Sequence, residues 1–533
     1  CMNILALHLS HDGSITVIEG DEIVVHHQLD RYNKFKHEFI PSIEVLENIK
    51  KLNIKIDKVI ITSLSPHGFP IKYFLKKFFN IGAENIVEVN ANEHHLFHAH
   101  CARHFYNYPK NTVYYVADGA GARQNLTHSS KFIDGVRVIE QESCYDEECK
   151  PIFKNYCTSQ LLNIENDKIK IHPSLGLGYA YQKLTYELGF EEFEDGKTMA
   201  LSSYGKFSQN IRDCLLYRDN WNLNLLNKDP DTYDHDNKYN RFMLDPNMDH
   251  TTRDSKSLDF VHTFQKTFEY LTLKRIEKIK RPYDNLILTG GCAQNVLNNT
   301  NLKDKLKCNV LADPFNGDFG ISLGAALSMT KENVKPLKHI CSGFETELDL
   351  SKLESMKVTI KEVATLLLNQ PIAIMSGRSE QGQRGLGFRS LLANPVQKNI
   401  LSIINTIKKR EWFRPFACTI LKEEAHKYFE INEGESSPYM MFVYKCKNPR
   451  LKNVCSVDNF SRIQTLEKSF HPKYYELIKS FKELSGMPVV LNTSLNLPGK
   501  VLVEDFDDLH YFLKNSNLKY CYLPDHNKLV WLK

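Results

Sequence analysis

Short apolar segments along the chain repeatedly end in loops of glycine, aspartate, asparagine and serine. Examples, each with the loop that follows it, are Ile4–Leu7 before Ser10–Ser14, Val113–Val116 before Asp118–Gly121, Leu286–Leu288 before Gly290-Gly291, Ile372–Met375 before Ser376–Arg378, and Val489–Leu491 before Asn492–Ser494. Longer stretches with helical periodicity, such as Pro41–Leu52 and Leu258–Lys280, alternate with them. Buried strands alternating with helices predict an α/β fold, in which functional groups collect where strands end.

Two stretches interrupt this alternation. Residues 206–257 are polar and rich in asparagine, aspartate and tyrosine, which is typical of an insertion or a loop-rich subdomain. Residues 329–360 are rich in lysine and glutamate and carry few strand signals, which suits a linker between two lobes. We therefore predict a first domain over residues 1–345 and a second domain over residues 350–533.

The composition narrows the class of protein. A chain of 533 residues is too long to fold around one small core. Its composition, with 42% hydrophobic and 25% charged residues, is typical of globular proteins. A formal net charge of +4 argues against a strongly basic nucleic-acid binder. No apolar run reaches the roughly 18 residues that a membrane helix needs. The 13 cysteines are scattered without a CxxC pair, which argues against a disulfide framework or zinc ribbon and predicts reduced thiols in the cytoplasm.

A histidine cluster suggests a metal site. On a helix, His94 and His98 are i,i+4 neighbours, so both imidazoles point from one face. Asp118 follows a predicted strand, and Asp318 lies in a glycine-rich loop. Two histidines and two carboxylates suit iron or manganese, and zinc also fits. The alternative is that the clustered histidines are a surface accident or a partly buried polar face.

Two Asp-Gly turns, Asp12-Gly13 and Asp118-Gly119, each come directly after an apolar strand. A facing pair of such turns is how actin-like ATPases hold a phosphate chain, because small residues let backbone N–H groups approach closely. The candidate nucleotide-binding residues are Asp12, Gly119, Gly121, Gly290, Gly291 and Asn295. Any one of these turns could also be an ordinary hairpin.

The second predicted lobe is rich in arginine. The segment Arg378–Ser390 interleaves three arginines with glycines, which makes neither a good helix nor a good strand. Arginines on such a loop can converge on one small anion, because the planar guanidinium grips phosphate or carboxylate in a bidentate way. The alternative is a solvated basic face. That alternative fits Lys409 well but fits Arg384 and Arg414 badly, since both lie among apolar, glycine or proline neighbours.

These motifs occur in the order of a known family. They are His11–Ser14, Lys36-His37, His94–Ala99, Asp118–Gly121, Gly196–Met199 with Ser203–Gly205, Gly290-Gly291, Gly317–Gly320 with Leu323–Ala326, Arg378–Ser390, Arg410–Phe416, Ser437–Met440, Arg462–Thr465 and Leu491–Ser494. With this ordered set, the chain resembles the NodU/CmcH-type O-carbamoyltransferases almost from end to end. It departs from the family pattern at Gln381, Gln383 and Phe388.

The resemblance implies two lobes with different tasks. The N-terminal lobe would be actin-like, of the ASKHA type with duplicated ribonuclease-H-like halves, and the C-terminal lobe would be a YrdC-like α/β domain. In that family the second lobe forms carbamoyl adenylate from carbamoyl phosphate and ATP. The first lobe then passes the carbamoyl group to an acceptor hydroxyl.

The resemblance also implies roles for individual residues. The residues implied to bind carbamoyl phosphate and nucleotide are Arg378, Arg384, Arg389, Lys408, Arg414, Arg462, Asn492 and Ser494. Of these, Arg384, Lys408 and Ser494 are also implied to be catalytic. His11 is the implied base for the acceptor hydroxyl, and the implied iron ligands are His94, His98, Asp118 and Asp318.

The expected small-molecule partners follow from this resemblance. They are ATP with magnesium, carbamoyl phosphate, and a divalent metal, which is iron by resemblance with manganese or zinc also open. We expect the acceptor to be a small molecule, such as a sugar, an antibiotic or another natural product. A hydroxymethylated nucleotide or DNA base is the second choice. No membrane partner is expected, and a homodimer is compatible with the sequence.

Two other functions remain open on the sequence. A tRNA threonylcarbamoyl transferase would share the first lobe, but tRNA binding favours a stronger basic footprint than a net charge of +4. A non-enzymatic actin-like nucleotide sensor would keep the Asp-Gly turns but would have no use for the cations of the second lobe. A hydrogenase-maturation carbamoyltransferase would need zinc-finger cysteine pairs, which this sequence lacks.

Overall fold

The fold is given by a computed structural model. It describes residues 2–38, 40–63, 69–89, 93–119, 121, 123–126, 136–157, 163–165, 168–170, 176–217, 220–221, 255–330, 334–337 and 339–533. The chain divides into two compact units, the composite unit (residues 1–59 and 332–533) and the central unit (residues 60–331). Across the described ranges, no helix is both long enough and apolar enough to span a bilayer.

The first 59 residues of the composite unit form an antiparallel meander followed by two helices. The elements are β1 (Ile4–His8), β2 (Ser14–Glu19), β3 (Glu22–Gln28), α1 (Asp30–Asn33) and α2 (Ile43–Lys51). Every residue of β1 is buried, so the first apolar run is a core strand. Ser14 pairs with Gln28, which places the turn before β2 beside the end of β3. Helix α2 begins after Ser42, whose hydroxyl accepts a hydrogen bond from the Val45 amide.

The central unit is built on a mixed sheet with helices. The elements that follow along the chain are β4 (Lys58–Thr62), α3 (Phe69–Phe79), β5 (Ile86–Val89), α4 (His94–Phe105), β6 (Thr112–Ala117), β7 (Arg123–Leu126), β8 (Val136–Tyr145), β9 (Pro151–Cys157), β10 (Asn163–Glu165), β11 (Lys168–Lys170), α5 (Leu177–Glu187), α6 (Asp195–Ser202), α7 (Gln209–Leu215), β12 (Leu216–Tyr217), β13 (Asn220–Trp221), α8 (Ser255–Ile276), β14 (Asn285–Thr289), α9 (Val296–Lys305), β15 (Asn309–Ala312) and α10 (Ile321–Ser328). Strands β15, β14 and β6 are parallel neighbours. Strand β8 pairs antiparallel with β6, and β7 and β9 pair with β8. Because the carboxyl ends of parallel strands lie at the same edge of a sheet, Asp118, Gly290 and Asp313, which follow β6, β14 and β15, lie at that edge.

Helices α4 and α10 pack very closely. A Cβ atom on Gly324 of α10 would lie 1.9 Å from the carbonyl oxygen of Phe97 on α4, so this approach requires glycine. Asp318 lies in the short 3-10 turn directly before α10. The helix contact therefore fixes where this carboxylate stands relative to the histidines of α4.

The rest of the composite unit contains a nine-stranded mixed sheet. Its elements are β16 (Leu353–Lys357), α11 (Ile360–Asn369), β17 (Ile372–Met375), β18 (Arg389–Ala393), α12 (Ile400–Lys408), β19 (Ala417–Leu421), α13 (Ala425–Tyr428), β20 (Val443–Lys445), β21 (Phe460–Leu466), α14 (Pro472–Ser485), β22 (Val489–Ser494), α15 (Phe506–Asn515), β23 (Cys521–Leu523) and β24 (Lys528–Leu532). The strand order is β16-β24-β23-β17-β18-β22-β19-β21-β20. Lys408 ends α12 and Ser494 ends β22, so two predicted site residues lie at the ends of elements.

The predicted α/β class is confirmed, and the two helical stretches named from the sequence are helices α2 and α8. Part of the predicted linker is not a linker, because Leu353–Lys357 pairs with β24 at the edge of the large sheet. Most of the predicted insertion, residues 222–254, lies outside the described residues. The division into functional domains near residue 350 stays a prediction.

Candidate metal centre and anion site

Two histidines and two aspartates meet in the central unit. His94 Nε2 lies 3.4 Å from Asp118 Oδ2 and 3.3 Å from Asp318 Oδ1. His98 Nε2 lies 3.4 Å from Asp118 Oδ2 and 3.6 Å from Asp318 Oδ1. One ligand atom from each residue lies within 4.8 Å of the other three. The structure thus brings together all four residues predicted as metal ligands.

The local sequence explains this geometry. His94 and His98 are one turn apart on α4, and their ring centroids are 5.0 Å apart. Asp118 follows the buried strand β6 directly, at the edge where the parallel strands end. Its Oδ1 accepts a hydrogen bond of 2.7 Å from the Gly119 amide, which leaves Oδ2 facing the histidines.

The electrostatics and donor types fit a bound metal. Although burial lowers it, Asp318 and Asp118 raise the pKa of His94 to about 10. Burial raises the pKa of Asp118, but the two histidines outweigh burial and hold it below its usual value. Neither ring nitrogen of the fully buried His98 has a hydrogen-bond partner among the described residues. Two imidazoles and two carboxylates are a donor set for iron, manganese or zinc.

A third histidine of α4 fixes this helix against the sheet. His95 Nδ1 lies 3.0 Å from the Ser143 hydroxyl, which donates in turn to Glu140, and Lys154 forms a 3.1 Å ion pair with the same carboxylate. Because the hydroxyl donates to Glu140, His95 is the donor to Ser143. A Cβ atom on Gly121 would lie 2.5 Å from His95 Nε2, so the imidazole packs directly against the turn after Asp118. Sequence reasoning left His95 without a defined role.

Three of the predicted nucleotide-binding glycines, Gly121, Gly290 and Gly291, lie where another part of the chain approaches closely. Gly119 does not, because a Cβ atom there would meet only Gln182 Oε1, at 3.9 Å. Gly290 has a φ of +81°, and a Cβ atom there would lie 2.4 Å from the Ala117 carbonyl. A Cβ atom on Gly291 would lie 2.9 Å from Asp118 Oδ1. Asn295 caps α9 through the Asn298 amide. Residue 120, between Gly119 and Gly121, lies outside the described residues.

The turn after β1 holds an aspartate between two histidines. Asp12 Oδ1 lies 2.7 Å from His37 Nδ1, and Asp12 Oδ2 lies 3.7 Å from His11 Nδ1. Burial raises the pKa of Asp12, but hydrogen bonds to the two histidines hold it below its usual value. The predicted base His11 is therefore near a carboxylate, and His37 makes the shorter contact with it.

Five cations of the composite unit form a cluster, which we call the cationic cluster. Its members are Arg384, Lys408, Arg410, Arg414 and Arg462. Burial and the nearby charge of Arg414 lower the pKa of Arg384 to about 10. Burial, followed by the charges of Arg384, Arg410 and Arg414, lowers the pKa of Arg462. Arg384, Arg414 and Arg462 therefore lie near enough for the charge of one to act on another.

Few acidic groups neutralise this cluster. The Arg414 guanidinium pairs with Glu411 at 3.1 Å. Within the described part of the chain, the side chains of Arg384 and Arg462 form neither an ion pair nor a hydrogen bond. Lys408 is buried, and its ammonium donates to the carbonyl oxygens of Ser494 at 2.6 Å and Asn496 at 2.7 Å. Grouped cations with so few acidic partners are typical of a site that binds an anion.

Three other predicted residues have different surroundings. Arg378 pairs with Glu345 at 3.2 Å and lies partly in solvent. Arg389 is fully buried and donates to carbonyl oxygens that include those of Ser376 at 2.8 Å and Gly377 at 2.9 Å. Asn492 is buried and donates to the Thr419 hydroxyl at 2.9 Å. Each of these side chains has protein partners, unlike Arg384 and Arg462.

Arg410 was missed as a site residue, although its motif was noticed. Its guanidinium carbon lies 4.8 Å from the centre of the Phe416 ring, and its Nη2 donates to the Pro415 carbonyl at 3.1 Å. The available signal was its position beside Lys408 and ahead of Arg414. A run of three basic residues ordinarily indicates a solvated face, and for this reason Arg410 was not predicted as a site residue.

Comparisons with known proteins identify the family of this chain. The family model described as the carbamoyltransferase N-terminus matches residues 69–327, and that described as the carbamoyltransferase C-terminus matches residues 363–528. The chain is 28% identical over 517 residues to an uncharacterised protein of Methanocaldococcus jannaschii, covering 89% of this chain and 78% of that protein. It is 34% identical over 228 residues to nodulation protein U of Sinorhizobium fredii, which is 40% of each chain. Full-length HypF in its phosphate- and nucleotide-bound form is 13% identical, with a TM-score of 0.36 over 63% of this chain and 47% of that chain.

The matched ranges span most of the chain and include the metal centre and the cationic cluster. The chain belongs to the carbamoyltransferase family. It is an enzyme that transfers a carbamoyl group.

Proposed function

We propose that the chain is an ATP-dependent O-carbamoyltransferase that uses carbamoyl phosphate as carbamoyl donor. The observation that carries this proposal is the cationic cluster, in which Arg384 and Arg462 have no protein partner among the described residues. Carbamoyl phosphate is a small dianion, and ATP carries further negative charge. Fixed guanidinium groups in a partly dry pocket bind such anions well, because their hydrogen bonds are charge-assisted.

The chemistry balances as two steps, the formation of carbamoyl adenylate and the transfer of its carbamoyl group. Water cleaves carbamoyl phosphate to carbamate and phosphate, and a carbamate oxygen attacks the α-phosphate of ATP, which releases pyrophosphate and forms carbamoyl adenylate. The acceptor hydroxyl then attacks the carbonyl carbon, and the bond to AMP breaks. The products are the carbamoylated acceptor, AMP, pyrophosphate and phosphate.

Named residues support each step. Arg384, Arg414 and Arg462 would bind the phosphates. The Lys408 ammonium donates to the Ser494 carbonyl at 2.6 Å and lies 3.5 Å from the Ser494 hydroxyl, so this ammonium and this hydroxyl would lie at one end of the same anion. In the second step His11 would take the proton of the acceptor hydroxyl, because a neutral imidazole is a suitable base near neutral pH.

The metal centre would be held by His94, His98, Asp118 and Asp318. A metal bound there would act as a Lewis acid toward the carbonyl or phosphate oxygens of the donor. For the acceptor we favour the hydroxyl of a small molecule such as a sugar or other natural product, and next a hydroxymethylated nucleotide or DNA base.

The proposal is tested with Arg384→Ala. We expect carbamoyl-phosphate-dependent release of pyrophosphate from ATP to fall by at least about tenfold, because a bidentate partner of the anion is lost. Arg450→Ala is the matched control, since Arg450 is an exposed arginine of the same unit and should leave the rate unchanged. Undiminished pyrophosphate release by Arg384→Ala would contradict the assignment of carbamoyl phosphate to this cluster.

A further inference from the structure

The loop that carries Arg384 is held in place by a segment far away in the sequence. We call residues 379–386 the arginine loop and residues 28–31 the bridging segment. Both lie in the composite unit. The backbone amide of Gln28 donates to Gln381 Oε1 at 2.9 Å. In return, the Gly382 amide donates to Gln28 Oε1 at 2.7 Å.

Arg31 adds a second connection. Its Nη2 donates to the Gly382 carbonyl at 3.0 Å and to Gln28 Oε1 at 3.0 Å. Arg31 is only 3% exposed, and the one carboxylate within ion-pair distance of it among the described residues is Asp30, with Nε and Oδ1 3.5 Å apart. Burying a guanidinium costs free energy, so we attribute the buried position of Arg31 to its hydrogen bonds and not to packing alone.

The arginine loop is also closed from within. Glu380 is fully buried, and its Oε1 accepts hydrogen bonds from the Leu386 amide at 2.6 Å and the Arg389 amide at 3.3 Å. Gly382 has a φ of +116°, which a residue with a side chain would adopt only under strain. The base of the loop is thus fixed by Glu380 and its tip by Gln28 and Arg31, and Arg384 comes two residues after Gly382.

The bridging segment also contacts the turn that carries the predicted base. Gln28 pairs with Ser14, and the Leu29 amide donates to the Gly13 carbonyl at 2.9 Å. A Cβ atom on Gly13 would lie 2.9 Å from the Leu29 side chain, so the two segments are in tight contact. One short piece of chain therefore touches both the turn that carries His11 and the arginine loop.

We infer that Gln28 and Arg31 are positioning residues, which set the place of Arg384 through hydrogen bonds to Gly382. This inference rests on the proposed function, because it assumes that Arg384 binds the anionic donor. Gln28 and Arg31 act at a distance from the anion. Their loss should weaken donor binding only as long as Arg384 is present.

A double-mutant cycle tests this inference on the full-length enzyme. Gln28→Leu keeps the size of the side chain but removes the acceptor for the Gly382 amide. We expect the KM for carbamoyl phosphate to rise about tenfold with little change in kcat, and Gln28→Glu, which keeps an acceptor oxygen, to restore most of it. In an Arg384→Ala background, Gln28→Leu should have almost no further effect on KM.

Two more variants keep the result interpretable. Arg31→Lys retains the charge but loses the fork that reaches Gln28 and Gly382 together, so it should reproduce the KM increase if Gln28→Leu does not fold. Lys34→Ala is the control, because Lys34 pairs with Asp505 at 3.0 Å and Asp508 at 2.6 Å rather than with the arginine loop. Its KM should match that of the unaltered enzyme.

The possible failures are distinct. An effect of Gln28→Leu that is the same with and without Arg384 would overturn the inference, as would a fall in Tm with an unchanged KM. An Arg384→Ala enzyme with a normal KM for carbamoyl phosphate would instead overturn the proposed function, and the positioning role would fall with it.

Discussion

At the residue scale, the four candidate ligands could be named from the sequence because the chemistry of a donor side chain is local, and the structure groups them. A histidine pair at i,i+4 faces one way wherever a helix forms, and aspartates at strand or helix ends follow from the α/β pattern. The fate of each arginine was not predictable. Arg384 lies in the arginine loop and Arg389 begins β18 directly after it, yet Arg389 donates to the carbonyls of Ser376 and Gly377, and Arg384 does not. Which arginine donates its hydrogen bonds to backbone carbonyls depends on the folded conformation of the chain around it.

The metal centre gives a prediction at this scale. His98→Ala should lower the iron, manganese or zinc retained by the purified protein by at least about tenfold, because one of four donors is removed. His100→Ala, on the same helix but outside the ligand set, should retain metal as the unaltered protein does. The measurement is elemental analysis after loading with each metal in turn. Full metal retention by His98→Ala would contradict the site.

At the scale of elements, the approach of α4 to α10 was not visible in the sequence. The motif that contains Gly324 was recognised, but its role depends on Phe97, more than 200 residues earlier in the chain. A periodic pattern shows which face of a helix is apolar and leaves open which helix it meets. In the structure, glycine is needed at position 324 because α4 and α10 approach each other closely, and not because the chain turns.

Gly324→Ala tests this contact. The added Cβ would lie 1.9 Å from the Phe97 carbonyl, so one helix must move. We expect a loss of about 1–3 kcal/mol in the free energy of unfolding, together with weaker metal retention, because Asp318 precedes the helix that moves. Gly196→Ala is the matched control, since a Cβ atom at Gly196 would meet nothing within 4 Å. Equal unfolding curves for the two variants would argue against a tight contact.

At the scale of the whole molecule, the α/β class and several strand-end loops could be predicted, whereas the composition of the units could not. Residues 1–59 cluster with residues 332–533, and this depends on contacts between distant segments such as Gln28 with Gly382. Local periodicity carries no information on such pairs. The same limit explains why Gln381 stood out only as a departure from the family pattern, although it accepts a hydrogen bond from Gln28.

We propose that this enzyme transfers the carbamoyl group of carbamoyl phosphate to a hydroxyl group with consumption of ATP. The most direct measurement uses isotope-labelled carbamoyl phosphate with ATP and a panel of sugars, hydroxylated natural products, nucleotides and hydroxymethylated DNA. AMP and labelled acceptor are quantified together by mass spectrometry. Under this proposal, AMP and carbamoylated acceptor form in equal amounts, and neither forms without carbamoyl phosphate. Labelled acceptor formed without consumption of ATP, or no labelled acceptor across the whole panel, would contradict it.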